Sequence, residues 1–319
     1  MASYNTIKGL RVKYLSSDPA GKEAGQVWYN STTGTLRVDG IIGLGTWSSG
    51  GNLGSARTNG CAGGLQTAAL YAGGGSPGGA TELYNGTSWT GSGAMNTNRF
   101  GHRGAGTQTS YIMAGNDPST AAESFNGSAW SNETAYPTSV SNVGAAGTDS
   151  AAVFFGGGPT TTITNYWNGS AWSNQGSANQ GGAANNGPMG ASQSDAVFLS
   201  GTELTGVVGR TQIWDGSSWT SSGSASLGKS SRSNMGTVST NCVAAGGTPA
   251  PYSTAAEAYN GTSWSTTGSL ASPKANGGGA GSGTAGLAFG GNSSGSPDVT
   301  AKTEEFTEAT AATKTITTS

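Results

Sequence analysis

Apolar residues in this chain come in short runs that return at a near-constant interval, and none of the runs is long enough for a helix. Six of them end in glycine: Thr67 to Gly74, Ser110 to Gly115, Ala151 to Gly157, Ala196 to Gly201, Cys242 to Gly247 and Leu287 to Gly291. Apolar residues at successive rather than alternate positions predict strands buried on both faces. A Gly/Ala-rich run and a short polar turn precede each one, so every repeat opens with two strands, a and b.

A sharper pattern follows each b strand. Tyr84-Asn85-Gly86-Thr87-Ser88-Trp89 returns as Phe125 to Trp130, Trp167 to Trp172, Trp214-Asp215-Gly216-Ser217-Ser218-Trp219 and Tyr259 to Trp264. Asn-Gly or Asp-Gly between two short runs predicts a hairpin of strands c and d with a type I′ turn, because that turn needs positive φ at both central residues. The aromatic and the Trp then face each other across the hairpin, as a cross-strand pair worth roughly 0.2–1 kcal/mol besides the burial of two rings. The Trp residues that end the units, Trp47, Trp89, Trp130, Trp172, Trp219 and Trp264, lie 41 to 47 positions apart. One such unit every 40 to 50 residues is the signature of propeller blades.

The two ends of the repeat complete each other. After Gly290-Gly291, Phe306 takes the aromatic position of a sixth unit, but Thr307-Glu308-Ala309-Thr310 carries neither the turn glycine nor a Trp. Leu44-Gly45-Thr46-Trp47 is a Trp strand with no hairpin before it. Pairing it beside Phe306 predicts an all-β, six-bladed propeller with no free edge. Trp47, Trp89, Trp130, Trp172, Trp219 and Trp264 are its expected structural residues. The domains expected are an N-terminal arm and hairpin over 1–40 and the propeller over 41–319.

Composition narrows the function classes. Leu, Ile, Val and Phe make up only about 12% of the chain, a level seen in disordered segments when charge is high. Here 14 basic residues balance 16 acidic ones, so self-repulsion does not hold the chain open. The 57 glycines have no Gly-X-Y period and are not collagenous. The neutral balance, without a dense Lys/Arg cluster, argues against a nucleic-acid partner. No apolar run of eighteen residues predicts a membrane span, and Met1 to Leu10 lacks a signal peptide's apolar core. Cys61 and Cys242 fall in repeats that are not neighbours and read as free, buried residues.

Outside the repeat, Lys8 to Leu15 is the one locally basic stretch. Gln26 to Asn30 and Thr35 to Gly40 read as two β-prone runs around Ser31-Thr32-Thr33-Gly34. This cassette, of the form GQVWYNSTTGTL, is similar to a short N-terminal module of structural proteins of tailed bacteriophages. The resemblance implies a virion protein (tail fibre, tail tip or capsid decoration) that meets other virion proteins through residues 1–40. It implies folding in the host cytoplasm, and a homo-oligomer or fixed copy number on the particle.

The repeat itself resembles the kelch repeat of galactose-oxidase-type propellers: an apolar strand ending in Gly-Gly, then an aromatic, then a Trp. A basic residue stands sixteen positions before the first glycine in Arg57, Arg99 and Lys274, but not in the other repeats. The gap from aromatic to Trp is also shorter than in kelch repeats. A galactose-oxidase-type copper site needs two histidines, whereas His102 is the single histidine, so that activity does not carry over.

The remaining motifs read structurally. Asn-Gly-Thr/Ser at Asn85, Asn126, Asn168 and Asn260 matches the glycosylation acceptor, but turn geometry accounts for it. Asp215-Gly216-Ser217-Ser218-Trp219 faintly resembles the sialidase Asp-box, yet lacks the residue between Asp and Gly. Glu82, Glu123, Asn165, Gln212, Glu257 and Glu304 recur before the d strands and are expected to bond backbone groups between blades. No phosphate loop, CxxC or Ser/His/Asp set is present, so neither catalysis nor a cofactor or metal is expected. Strand order puts the variable b–c connections on one face with the d–a connections, where specificity resides on a rigid scaffold. The ligand-binding candidates there are Asp117, Glu203, Arg210, Tyr252 and Asp298, with Asn132 and Tyr136 from a d–a connection. Aromatics beside Asn, Asp and Arg suit a host-surface glycan. A glycan-active enzyme or a kelch-like protein-interaction module is the alternative.

Overall fold

The computed structural model describes residues 12–20, 26–41, 44–75, 78–116, 119–158, 161–179, 181–184, 187, 189–203, 206–207, 209–249, 251–293 and 299–316. All regular structure among them is β. The chain forms two compact units, Met1–Leu44 with Ala309–Ser319, and Gly45–Glu308. The boundary expected at 40/41, with the second domain running to 319, is thereby corrected. Ala311–Ile316 lies antiparallel to Thr35–Ile41, pairing Leu36 with Ile316 and Ile41 with Ala311.

In the smaller unit, Val27–Asn30 and Thr35–Ile41 form the expected hairpin, and Lys13–Leu15 adds a parallel strand to its other edge. Asp18 holds the loop between them. Its carboxylate accepts from Trp28 Nε1 at 3.0 Å and Asn30 Nδ2 at 2.9 Å, and pairs with Arg37 at 2.8 Å.

Among the described residues, Gly45–Glu308 carries six sheets. The first consists of Cys61–Leu65, Ala68–Ala72, Thr81–Tyr84 and Trp89–Ser92, each antiparallel to the next. The second, third and fifth repeat this order. In the fourth the first strand is broken into Ala183–Ala184 and Gly190–Ser192, both paired with Asp195–Glu203, which also takes up Gly206–Val207 before Thr211–Trp214 and Trp219–Ser222 follow. The sixth runs Gly278–Gly281, Ala285–Phe289, Thr303–Thr307 and then Thr46–Ser49, with Phe306 opposite Trp47. The a strands of successive sheets lie against one another, and that of the sixth lies against that of the first.

Glycines that end b strands add hydrogen bonds between neighbouring sheets. Gly290 and Gly291 have φ of +62° and +87°, a region side chains rarely enter. The chain turns there so that Gly291 N–H donates to Arg57 O at 2.7 Å, joining the sixth sheet to the first. Gly74 N–H bonds Arg99 O in the same way, and Gly247 N–H bonds Lys274 O. A second set of bonds sits just ahead of the a strands. Asn59, Gly101, Asn142, Ser231 and Asn276 all have φ between +54° and +72°. They link head to tail, Asn142 N–H to Gly101 O, Gly101 to Asn59, Asn59 to Asn276 and Asn276 to Ser231, at 2.7–2.9 Å.

Each Trp pairs with its aromatic as expected, with centroids 5.0 Å apart for Tyr84 and Trp89 and 5.1 Å for Phe306 and Trp47. The turn is not type I′. Only the glycine has positive φ (Gly86, +88°), while Asn85 Oδ1 accepts from Thr87 N at 3.0 Å and Ser88 N at 2.9 Å. The asparagine acts through its side chain, closing a four-residue loop.

The indoles also tie sheet to sheet. Nε1 of Trp89, Trp130, Trp219 and Trp264 donates to Thr303, Thr81, Thr164 and Thr211, the residue that opens the c strand of the preceding sheet, at 2.8–2.9 Å. Where that residue is alanine, at Ala122 and Ala256, Trp172 and Trp47 turn instead to Thr134 O and Gly268 O.

Candidate functional site

The recurrent acid positions sit in sockets formed by the connection that enters each sheet. Glu123 accepts from Asn96 N and Thr97 N and pairs with Arg99. Glu82 accepts from Gly54 N at 2.6 Å and pairs with Arg57 at 2.7 Å. Glu257 accepts from Ser226 N and Oγ and pairs with Arg232 at 2.7 Å. These pairs are buried and structural, in line with the expected bonding to backbone. Arg232 is not sixteen residues before a glycine and was invisible to the spacing. It enters two positions later and reaches the same carboxylate.

The sixth socket differs. Glu304 accepts from Ala271 N at 2.6 Å and Ser272 Oγ at 3.2 Å. Lys274 Nζ donates to Lys302 O at 3.0 Å, and no ion pair joins it to Glu304 among the described residues. Burial pushes the Lys274 ammonium down to about 8, against the Glu304 charge, which raises it. A cavity of about 320 Å³ opens here, lined by Ser49, Gly50, Asn52, Ala271, Ser272, Lys302, Thr303 and Glu304.

A second groove, of about 350 Å³, lies where the b–c connection of the first sheet meets the entry to the second. Gly74, Gly75, Gly78, Asn98, Arg99 and Phe100 line it. Phe100 is 63% exposed, and the Asn98 carboxamide is so placed that a Cβ on Gly79 would lie 2.4 Å from its Oδ1. Both hollows lie at the strand ends that carry the b–c and d–a connections.

The expected ligand residues do not assemble into one site. Tyr136 is corrected outright. Only 1% exposed, it packs on Phe154 and Trp172 and accepts from Asn165 Nδ2 at 3.1 Å. Burial lifts its hydroxyl far above the usual range. Asn132 belongs to the strand Trp130–Glu133 rather than to a connection, and accepts from Asn96 Nδ2 at 3.2 Å. Glu203 lies in the strand Asp195–Glu203, paired with Gly206, rather than in an open loop. Its side chain, like the whole of Asp117 and Asp298, falls outside the described residues. Arg210 is exposed and Tyr252 half-buried, and neither lines the two hollows.

The lone histidine and the cysteines are interior groups. His102 is fully buried, and burial, with Arg103 and Arg99 beside it, holds its imidazole well below the usual value. Cys61 and Cys242 are free and buried, and burial pushes the Cys61 thiol up to about 12. Such thiols are poor nucleophiles.

No protein-family model matches the sequence, and no curated protein matches it. Among solved structures, the chain titled "Structure of YjhT" is similar, with a TM-score of 0.67 and 13% identity over 83% of this chain and 99% of that one. At that identity the likeness shows the fold alone, a β-propeller.

Proposed function

We propose that the chain is a non-catalytic, six-bladed propeller, closed by the Trp47 and Phe306 strands, that binds glycan on the face of its b–c and d–a connections. The observation that carries this reading is Phe100. A phenyl ring left 63% exposed beside a hollow is an anomaly in a molecule that buries its other phenylalanines. The negative face of such a ring attracts the C–H bonds of a pyranose's apolar side. Glycine backbone and the Asn98 carboxamide supply polar partners at the rim, the usual complement of a small-molecule site.

The setting proposed is the virion of a tailed phage, with residues 1–40 as the attachment to other virion proteins. The resemblance of that cassette supports it, and mass spectrometry of purified particles tests it: a particle lacking the chain sinks the virion reading. For binding, a glycan array with Phe100→Ala and Asn98→Ala is decisive. Expected is at least a tenfold loss in Phe100→Ala with unchanged melting. Equal binding by both variants removes this site, and sugar released from host polysaccharide overturns the non-enzyme reading.

A further inference from the structure

The sockets provide an internal comparison that isolates one of them. In the second and fourth sheets the residue that donates its N–H to the acid position is asparagine, and its side chain fills the space above. Asn96 Nδ2 donates to Trp130 O at 3.2 Å, and Asn179 Nδ2 to Trp219 O at 2.8 Å. In the sixth sheet that residue is Ala271. The arginine that forms an ion pair with Glu82, Glu123 and Glu257 is also replaced, by Lys274, whose ammonium is spent on backbone carbonyls. Two substitutions thus empty the same socket and leave the Glu304 carboxylate, 3% exposed, with two donors at the floor of a 320 Å³ cavity.

We infer that this socket is a binding site for a neutral polyol, a pyranose presenting a vicinal diol. A carboxylate offers about four acceptor positions, so Glu304 has room for two hydroxyl donors. Lys302 and Asn52 line the cavity as well, residues whose side chains carry an ammonium and a carboxamide. A diol meets both demands at once, with one hydroxyl donating to the carboxylate while its neighbour accepts from the rim. A free cation is disfavoured, because Lys302 lines the cavity and the Lys274 charge acts on Glu304. An anion is disfavoured by Glu304 itself. The hydroxyls would take the place of water, which a polar cavity of this size holds. The site is separate from the Phe100 groove, so each stands or falls without the other.

The test is titration of the full chain with methyl glycosides of glucose, galactose and mannose, following backbone amide shifts of Ala271, Ser272 and Lys302. Ala271→Asn rebuilds the arrangement of Asn96 and Asn179 and should weaken binding at least tenfold without loss of melting temperature. Lys274→Arg, which restores a guanidinium to the carboxylate, should weaken it as well and covers the case in which the first variant fails to fold. Phe100→Ala should leave these shifts unchanged. Absence of saturable shifts in the parent protein, or equal affinity in the parent and both socket variants, overturns the inference.

Discussion

The second and third sheets build the same socket by opposite means. In the second, Arg99 and Glu123 meet as a buried ion pair, with the remaining carboxylate positions filled by Asn96 N and Thr97 N. In the third, Val140 takes the arginine's place and Asn165 the acid's, and Tyr136 fills the vacated volume and accepts from the asparagine. Cation and anion vanish together. Burying one charge without the other is the costly case, whereas the pair and its neutral replacement are of similar worth. The lesson is that the repeat conserves the balance of the socket rather than its chemistry.

The largest effect should come from unbalancing a charged socket. Arg99→Ala or Glu123→Ala is expected to cost about 3–5 kcal/mol in denaturant unfolding, because the partner is left buried and uncompensated. The paired change Arg99→Val with Glu123→Asn, which copies the third sheet, should cost much less than the sum of the two single changes. Strict additivity would break the comparison.

How far the sequence reaches can be judged on these same residues. The strand order, the aromatic pairs and the Phe306–Trp47 pairing follow from spacing, since a repeat forces every copy into one geometry. Tyr136 was misjudged because a connection has no period. The signal that places it is the coincidence of Val140 and Asn165, which announces a neutral socket with space to fill. The Asn-Gly turn was misjudged for a different reason: a backbone preference was assumed where the asparagine side chain decides. Phe100 and the cavity at Ala271 were missed since exposure is a property of the fold. The strand Ala311–Ile316 has no repeat partner to reveal it.

The sixth socket sharpens the comparison through pH. Lys274 is held at about 8 in the fold by burial, against 10.5 when free. Below pH 8 both states bind the proton, and folding bears the cost of a buried charge. Between about 8 and 10.5 only the unfolded chain binds it, so stability rises with pH, by up to roughly 3 kcal/mol. Above pH 9 the Cys61 thiol and Tyr111, both pushed up by burial, act the other way, because they stay protonated only in the fold. Melting between pH 7 and 9 should therefore rise in the parent relative to Lys274→Met, and a flat difference would contradict the assignment.

A smaller effect separates the Trp contacts. Thr81→Ala removes the acceptor of Trp130 and converts that contact into the one Ala122 already imposes on Trp172. The expected cost is about 1 kcal/mol, the net worth of one hydrogen bond. Ala122→Thr offers Trp172 the acceptor it lacks and should recover less than that, since the indole already bonds Thr134 O. A cost for Thr81→Ala no larger than the change in Ala122→Thr would mean that the indole hydrogen bond is not what the threonine contributes.

The smallest effect concerns the turns, where one copy differs from four. Asp215 accepts from Ser217 N and Ser218 N at 2.8 Å, as Asn85 accepts from Thr87 and Ser88. The backbone N–H of Ser218, then that of Ser217 and the Ser217 hydroxyl, draw its carboxyl down to about 2. An acid whose folded value is depressed stabilises the fold above its unfolded value near 4, and that stability is lost as pH falls toward 2. Asn makes the same two bonds without titrating. Asp215→Asn should leave unfolding at pH 7 nearly unchanged and flatten the acid limb between pH 4 and 2. Because Asp215 is solvent-exposed, salt should shrink that difference. An acid limb unaltered in Asp215→Asn would show that the turn draws nothing from the charge and that Asn and Asp are interchangeable there on shape alone.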